Sequence, residues 1–262
     1  MRDADALHAF ATLGWRNAAA QRAAIVARGG LYVLILVIWW QLWQATPLAE
    51  LARSDVTAVG LLWYVAVTEW IVFAAGMPYR EVEADIRDGR IATALTRPIP
   101  YGAAVLAQWA GEAAYRLLAL GAIGFAAAFL LTGTVPVAMG RWPGIALAGI
   151  LGTAALLLCQ YAVGMAAAWS GVAAPLYWIW QKLLFVLGGL LMPLTLYPPG
   201  LRALADLTPF AAMLFAPASL AFDPAAAIAA VLAAQIAWLA VLAAGAALID
   251  RAAIVRLLDR GG

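Results

Sequence analysis

The sequence predicts an all-α integral membrane protein with six transmembrane helices, and three observations lead to this prediction. Of the 262 residues, 66% are hydrophobic and only 11% are charged, whereas soluble domains are about 45–50% apolar. Apolar runs with few or no charges, long enough to cross a hydrocarbon core of about 30 Å, recur along the chain. Arginine is concentrated on alternate connecting segments, which is typical of the cytoplasmic side of membrane proteins.

The intervals between charged residues predict the spans of a single transmembrane domain over residues 1–262. They cover residues 29–49, 56–79, 103–132, 144–169, 175–197 and 224–249. The apolar stretch 207–222 is too short to cross easily and contains Pro209 and Pro217. Because irregular backbone is not stable against lipid, segment 200–222 is expected to form short re-entrant helices packed on other parts of the protein.

The arginines predict the orientation of these spans. With six spans, eleven arginines fall on one side of the membrane, and they are Arg2, Arg16, Arg22, Arg28, Arg80, Arg87, Arg90, Arg97, Arg251, Arg256 and Arg260. The other side receives Arg53, Arg141 and Arg202. The positive-inside rule therefore places the N-terminal segment 1–28, the loop 80–99 and the tail 251–262 in the cytoplasm. A seventh span at 207–222 would move the three arginines of the tail to the opposite side.

Several classes of function are disfavoured by the residues that the chain lacks. Its only lysine, Lys182, is in the sequence "YWIWQKLLF", which lacks the glycines and the Ser or Thr of a phosphate-binding P-loop. One histidine, His8, and one cysteine, Cys159, give no metal-ligand cluster. The net charge of +2 does not favour nucleic-acid binding. We expect no enzymatic activity and no cofactor on this chain.

The loop between the second and third spans concentrates charge in an otherwise apolar chain. The sequence "YREVEADIRDG" predicts a helix with a Glu83–Arg87 ion pair, ended by Gly89. A second short helix with an apolar stripe at Ile91 and Leu95 would follow and end at Pro98. Two interpretations are open: a solvated loop whose arginines set the topology, or a docking surface for a cytoplasmic partner.

The pattern D-I-R-x-G-x-I-x-x-x-L-x-R-P, from Asp85 to Pro98, resembles bacterial ABC-2 type transporter permeases, in particular a small six-span branch of that family. Residues 183–222, with "YPPGLR" at 197–202 and "LTPF" at 207–210, are similar to the end of the same branch. The resemblance covers the chain from about residue 80 to the C-terminus. The third span departs from it, because it is rich in Ala and Gly where many members carry aromatic and basic residues.

The resemblance implies the transmembrane subunit of an ABC exporter in the bacterial inner membrane, paired with a second permease chain and with two separate ATPase subunits that bind ATP and Mg²⁺. It implies an amphipathic helix over 1–28 on the inner membrane surface and extracellular re-entrant helices at 200–222. It also implies that loop 80–99 is a coupling helix seated on the ATPase. The implied contact residues are Glu81, Asp85, Arg87, Asp88, Arg90 and Arg97.

Four ionisable residues lie within predicted spans. Glu69 is either a functional group or a packing element, because charge at membrane depth is costly. Glu112 and Arg116 are four residues apart, which favours a structural ion pair. Lys182 either extends to the cytoplasmic interface or meets a carboxylate of another span.

Two functions are alternatives to an ABC permease. One is an ion-driven secondary transporter that uses Glu69 and Glu112, and the other is a non-transporting scaffold subunit. The apolar interior favours a hydrophobic or amphipathic cargo over a small ion.

Overall fold

The computed structural model describes residues 2–46 and 57–261, and no strand occurs within these ranges. The α-helices, in chain order, are α1 (Arg2–Ala20), α2 (Arg22–Ala45), α3 (Ala58–Ala75), α4 (Tyr79–Arg87), α5 (Arg90–Leu95), α6 (Tyr101–Thr132), α7 (Trp142–Met165), α8 (Ala167–Ser170), α9 (Ala174–Leu187), α10 (Pro199–Asp206), α11 (Pro209–Met213), α12 (Phe215–Ser219) and α13 (Ile228–Gly261). Short 3₁₀ turns occupy Met139–Arg141 and Leu194–Leu196. Residues 47–49 and 56 of the predicted spans, Arg53 and residue 262 lie outside the described residues.

Five helical segments of the described chain are long and apolar enough to cross a membrane. They are Arg22–Ala45, Ala58–Arg87, Tyr101–Thr132, Met139–Ser170 and Ile228–Asp259. The predicted fifth span at 175–197 is not among them, because α9 has 14 residues and a length of about 21 Å. The prediction of an all-helical membrane protein is therefore confirmed, whereas six full-length spans are not.

Side-chain hydrogen bonds show which segments meet at one end of the bundle, here called the opposite end. The indole Nε1 of Trp63, at the start of α3, donates to the Thr134 carbonyl after α6 at 3.1 Å. Arg141 donates to the carbonyls of Pro224 at 3.0 Å and Ala226 at 2.7 Å, just before α13. The start of α13 therefore lies beside the α6–α7 connection.

The other end, here called the loop end, contains the charged loop 80–99. Glu83 in α4 accepts a hydrogen bond from the backbone N–H of Ala173, which precedes α9, at 3.0 Å. The hydroxyl of Tyr161, late in α7, donates to Asp250 in the last part of α13. The chain thus enters α9 at the loop end and enters α13 at the opposite end, so α9 to α12 carry it from one end to the other.

Helix α3 forms the centre of the bundle, because every residue from Gly60 to Ile71 is buried. Helices α2, α6, α7 and α12 pack around it. Trp70 fixes α3 to α6 by donating from Nε1 to the Leu117 carbonyl at 2.7 Å. Its ring covers Gly149 of α7, where a Cβ would lie 2.2 Å from a ring atom. The absence of a side chain at Gly149 lets α7 approach α3 this closely.

Helix α1 packs along α6 through two glycines. A Cβ on Gly14 would lie 2.0 Å from the carbonyl oxygen of Gln108, and one on Gly111 would lie 1.9 Å from that of Ala11. The backbones of α1 and α6 are therefore in contact. Any side chain at Gly14 or Gly111 would force the two helices further apart. Helix α1 was expected to be an amphipathic helix on the membrane surface. It has exposed apolar residues, which include Trp15, and it also packs closely against α6 of the bundle.

Candidate functional site

Two acidic residues of α4 fix the charged loop to other parts of the protein. The carboxylate of Glu81 accepts a hydrogen bond from Nε1 of the buried Trp109 in α6 at 2.8 Å. That of Glu83 accepts from the backbone N–H of Ala173, as described above. Glu81 and Glu83 are two positions apart and bind different elements, so α4 is held between α6 and the start of α9.

A third acid, Asp85, organises the turn between α4 and α5. It accepts hydrogen bonds from the Tyr101 hydroxyl at 2.9 Å and from Nε of Arg90 at 2.9 Å. Arg90 also donates from Nη1 to Asp88 at 2.7 Å, and its hydrogen bond to Asp85 raises the pKa of its guanidinium. Gly89 adopts a left-handed conformation with φ of 72° between the two helices, which glycine reaches without steric cost. The ion-pair network and this glycine define one geometry for the turn.

The predicted contact residues of the loop divide into two groups. Glu81 and Asp85 accept hydrogen bonds from α6, Glu81 from an exposed position on α4. The remaining four are exposed and, within the described ranges 2–46 and 57–261, form no side-chain hydrogen bond outside the loop: Arg87, Asp88, Arg90 and Arg97. The predicted Glu83–Arg87 pair does not form, because Glu83 bonds to Ala173 and Arg87 lies 3.5 Å from Asp88 instead. Sequence spacing alone could not show that a backbone N–H far along the chain competes for Glu83.

Packing also connects α4 to α7 and α9. The rings of Tyr79 and Tyr177 are stacked, with centroids 4.1 Å apart and an interplanar angle of 17°. A Cβ on Gly164 of α7 would lie 2.8 Å from Cβ of Val82. A displacement of α4 would therefore act on α6, α7 and α9 together, because its contacts with all three are direct. Sequence reasoning missed Trp109 and Tyr177 as contacts of α4, and Tyr177 lies so far along the chain from loop 80–99 that no local pattern indicated its contact.

Between α1, α5 and α6 the loop forms a groove of about 390 Å³. Its lining includes the ring of Phe10 and the exposed guanidinium groups of Arg90 and Arg97. No ion pair of Arg97 is formed among the described residues. Asp85 also lines the groove and pairs with Arg90, so the groove combines apolar surface with the unpaired positive charge of Arg97.

A second cavity, here called the polar cavity, lies between α2, α3, α4, α6 and α9 and has a volume of about 640 Å³. Three of the four ionisable residues predicted within spans line it: Glu69, Glu112 and Arg116. Lys182 does not, because it lies on the exposed face of α9. Its ammonium group is 5.7 Å and 5.5 Å from the ring centroids of Trp178 and Phe185, a cation–π arrangement.

The wall of the polar cavity at the loop end carries an ion pair. Nη2 of Arg116 donates to Glu112 at 2.6 Å, as their spacing predicts, and both side chains are nearly buried. Nη1 of Arg116 lies 3.1 Å and Nη1 of Arg28 lies 3.9 Å from the position of a Cβ on Gly76. Gly76 ends α3 with φ of 67°, so a glycine is required where these guanidinium groups converge.

The Glu69 carboxylate, by contrast, has no hydrogen-bond or ion-pair partner among the described residues, although Glu69 is only 5% exposed. The hydroxyl groups of Tyr32 and Thr68 bind backbone carbonyls and not Glu69. Tyr32 donates to the Ala66 carbonyl, and Thr68 donates to the carbonyls of Val65 at 3.1 Å and Leu190 at 2.8 Å. Glu69 is therefore a largely buried carboxylate that lines the polar cavity.

Comparisons with known proteins give no further assignment. The chain matches no protein family model, and no curated protein is significantly similar to it in sequence. Within residues 2–46 and 57–261, no group of three or more His, Cys, Asp and Glu side chains is placed to hold a metal ion.

Proposed function

We propose that this protein is the transmembrane permease subunit of an ATP-driven ABC exporter of the ABC-2 type. It forms half of the translocation pathway, pairs with a second permease chain and receives work from two separate ATPase subunits, which bind ATP and Mg²⁺. It resides in the bacterial inner membrane among lipid, with both termini in the cytoplasm.

The observation that carries this proposal is the construction of the charged loop. Its acids Glu81, Glu83 and Asp85 bind groups of the same chain, whereas its arginines face outward. A loop that only set the topology would not need anchors to α6 and to the start of α9. A rigid surface with exposed charge, connected to several long helices, suits the transfer of movement from a partner protein.

The groove beside α5 gives the partner a place to bind. Phe10 supplies an apolar contact, and Arg97, which has no ion pair among the described residues, supplies positive charge. Electrostatic complementarity gives specificity and fast association more than affinity. An ATPase surface with an acidic edge and one apolar side chain would fit this groove.

The path of the chain supports six crossings of the membrane. Five are the long helices, and the sixth begins with α9 at the loop end, since the chain that follows α9 reaches the opposite end before α13. Both termini then lie at the loop end, in agreement with the distribution of arginine. This arrangement also makes α10 to α12 the proposed re-entrant helices on the extracellular side.

Charge reversal on the exposed arginines tests the docking role. The tagged chain is purified from native membranes in mild detergent, and ATP hydrolysis is measured in the eluted complex. The double variant Arg87→Glu/Arg97→Glu should lose the associated ATPase activity and keep its yield in the membrane, because neither arginine anchors the loop. The matched control is Arg202→Glu, an exposed arginine outside the loop that lies 3.9 Å from Asp206.

Unchanged ATPase association in the double variant would contradict the docking role of the loop.

The unpaired Glu69 carboxylate favours a second candidate function, an ion-driven transporter. That function predicts transport by vesicles that contain the purified chain alone, which collapses with the ion gradient and continues without ATP. Such a result would replace the ABC proposal.

A further inference from the structure

The chain is broken at the end of α9, beside α3. The N–H of Leu190 donates to the Phe185 carbonyl at 3.1 Å and that of Gly189 to the Val186 carbonyl at 3.3 Å, with Gly189 at φ of 66°. This is the Schellman arrangement that ends a helix. Non-helical backbone at membrane depth is stable only where protein satisfies its polar groups. Here Tyr64 and Thr68 of α3 donate to the carbonyls of Gly189 and Leu190.

The polar cavity opens onto this break, because Leu190 lines it together with Glu69. The C-terminal end of a helix carries a partial negative charge. The unpaired carboxylate of Glu69, one residue after the Thr68 that binds the break, adds a full negative charge if it is ionised. This part of the polar cavity is therefore built to favour positive charge.

The positive groups that line the polar cavity are those of Arg28, Arg80 and Arg116. Arg80 is an exposed residue of α4 at the loop end, next to Glu81, which also lines the cavity. The guanidinium groups of Arg28 and Arg116 converge at Gly76, which is seven residues after Glu69 and so about 10 Å along α3. Glu112 also offsets the charge of Arg116. Because Coulomb energy falls with distance, a cation in contact with Glu69 is attracted more strongly than it is repelled from the loop end.

The walls of the polar cavity indicate the kind of cation. Phe73 is four residues after Glu69 and so lies on the same face of α3, and Ile35, Val72 and Leu191 add apolar surface. An inorganic cation would need several oxygen ligands, and the described lining offers one unpaired carboxylate. The volume of about 640 Å³ is in the range of drug-sized ligands.

We propose that the polar cavity binds an amphipathic organic cation, with Glu69 as its counter-charge and Phe73 as the aromatic ring beside it. This inference rests on the proposed function, because it names the class of cargo that the permease would carry. The apolar body of the cation lies against α2, α3 and α9, and its charge lies between Glu69 and the end of α9.

A pair of ions with the same shape and opposite charge tests the site. The full chain is placed in nanodiscs of zwitterionic lipid without any ATPase, and binding of tetraphenylphosphonium and of tetraphenylborate is measured with the same empty nanodiscs as background. We expect saturable binding of the cation that is about tenfold tighter, or more, than that of the anion. Equal binding of both ions, or no saturable binding of the cation, would overturn the proposal.

Two substitutions locate the binding at the proposed residue. Glu69→Gln keeps the shape of the side chain and removes its charge, and it should weaken binding of tetraphenylphosphonium by about tenfold or more. The control Asp206→Asn removes an exposed carboxylate outside the polar cavity and should leave binding unchanged. Wild-type affinity in Glu69→Gln would overturn the assignment.

Glu69→Asp keeps the charge and covers the case in which Glu69→Gln is recovered poorly. It should retain the preference for the cation over the anion, and loss of that preference in a folded sample would contradict the role of the charge. Because no ATPase is present, binding here is independent of the docking test. A chain that binds the cation but no ATPase would refute the proposed function alone, and one that recruits the ATPase but not the cation would refute this inference alone.

Discussion

Helices α3 and α13 are both apolar enough to cross a membrane, yet their surroundings differ completely. In the span that contains α3, 78% of the apolar stretch is buried within the protein, whereas the corresponding share for the span of α13 is 6%. The exposed residues of α13 include Ile236, Val241 and Leu248. One helix is thus the centre of the bundle, and the other lies at its edge with most of its apolar surface exposed.

The polar side chains of α3 and α13 indicate which face of each helix contacts protein. Tyr64 and Thr68 of α3 donate to the carbonyls of Gly189 and Leu190 at the end of α9, and Trp70 donates to that of Leu117 in α6. In α13, Gln235 faces inward and donates to the carbonyls of Ala148 and Ala212 at 2.9 Å and 3.0 Å. Apolarity alone indicates a membrane environment, whereas the positions of hydrogen-bonding side chains indicate which face meets protein.

The largest expected effect concerns the buried ion pair beside the end of α3. Glu112→Gln should destabilise the protein by about 3–5 kcal/mol, because it leaves the charge of Arg116 buried without its partner. Asp250→Asn, in the half-buried last part of α13, should cost less, since the amide oxygen still accepts from Tyr161. Thermal unfolding in detergent measures both, and equal losses would contradict the distinction.

A cavity in the centre of the bundle should be the next largest effect. Leu62 of α3 is fully buried, and Leu62→Ala should cost about 2–5 kcal/mol through lost packing contacts. Leu248 of α13 is 66% exposed, so Leu248→Ala should change stability by less than about 0.5 kcal/mol. If the second variant is destabilised as much as the first, the exposed face of α13 is covered by another protein chain.

Glycine substitutions test how closely α3 and α13 pack against their neighbours. Gly149 of α7 faces α3, and Gly245 belongs to α13. Gly149→Ala should destabilise by about 1–3 kcal/mol, because the Trp70 ring above it is fixed by its bond to Leu117. No atom lies within 4 Å of a Cβ on Gly245 of α13, so Gly245→Ala should be neutral or stabilising by up to about 1 kcal/mol. A neutral Gly149→Ala would show that α3 and α7 are packed less closely.

The smallest expected effect comes from a single hydroxyl group. Thr68→Val removes the hydrogen bond to the Leu190 carbonyl and should cost about 1–2 kcal/mol, because the broken backbone then carries an unsatisfied group. The hydroxyl of the buried Thr153 has no partner among the described residues, so Thr153→Val should be neutral or stabilising. If Thr153→Val lowered the unfolding temperature more than Thr68→Val, the hydrogen bond from α3 would not stabilise the break after α9.

The sequence predicted most of the helices and the charged loop, but not the partners of the acidic residues in that loop. Long intervals between charges located the spans that correspond to α2, α3, α6, α7 and α13, because a helix must cover its length in apolar residues. Gly89 and Pro98 indicated the two short helices of the charged loop. The partners of Glu81, Glu83 and Asp85 were not predictable, since Trp109, Ala173 and Tyr101 come next to α4 only when the helices pack.

The sequence by itself determined the environment of this protein, because composition and hydrophobic length decide whether a chain is stable in lipid or in water. It also determined the spacing that pairs Glu112 with Arg116, since residues four apart meet on one helix. Only the tertiary structure decided that α3 is central and α13 peripheral, that α9 ends at Leu187, and that Glu69 has no hydrogen-bond or ion-pair partner within the described parts of the chain. These outcomes depend on contacts between distant segments, such as Thr68 with Leu190, and local sequence patterns do not encode them.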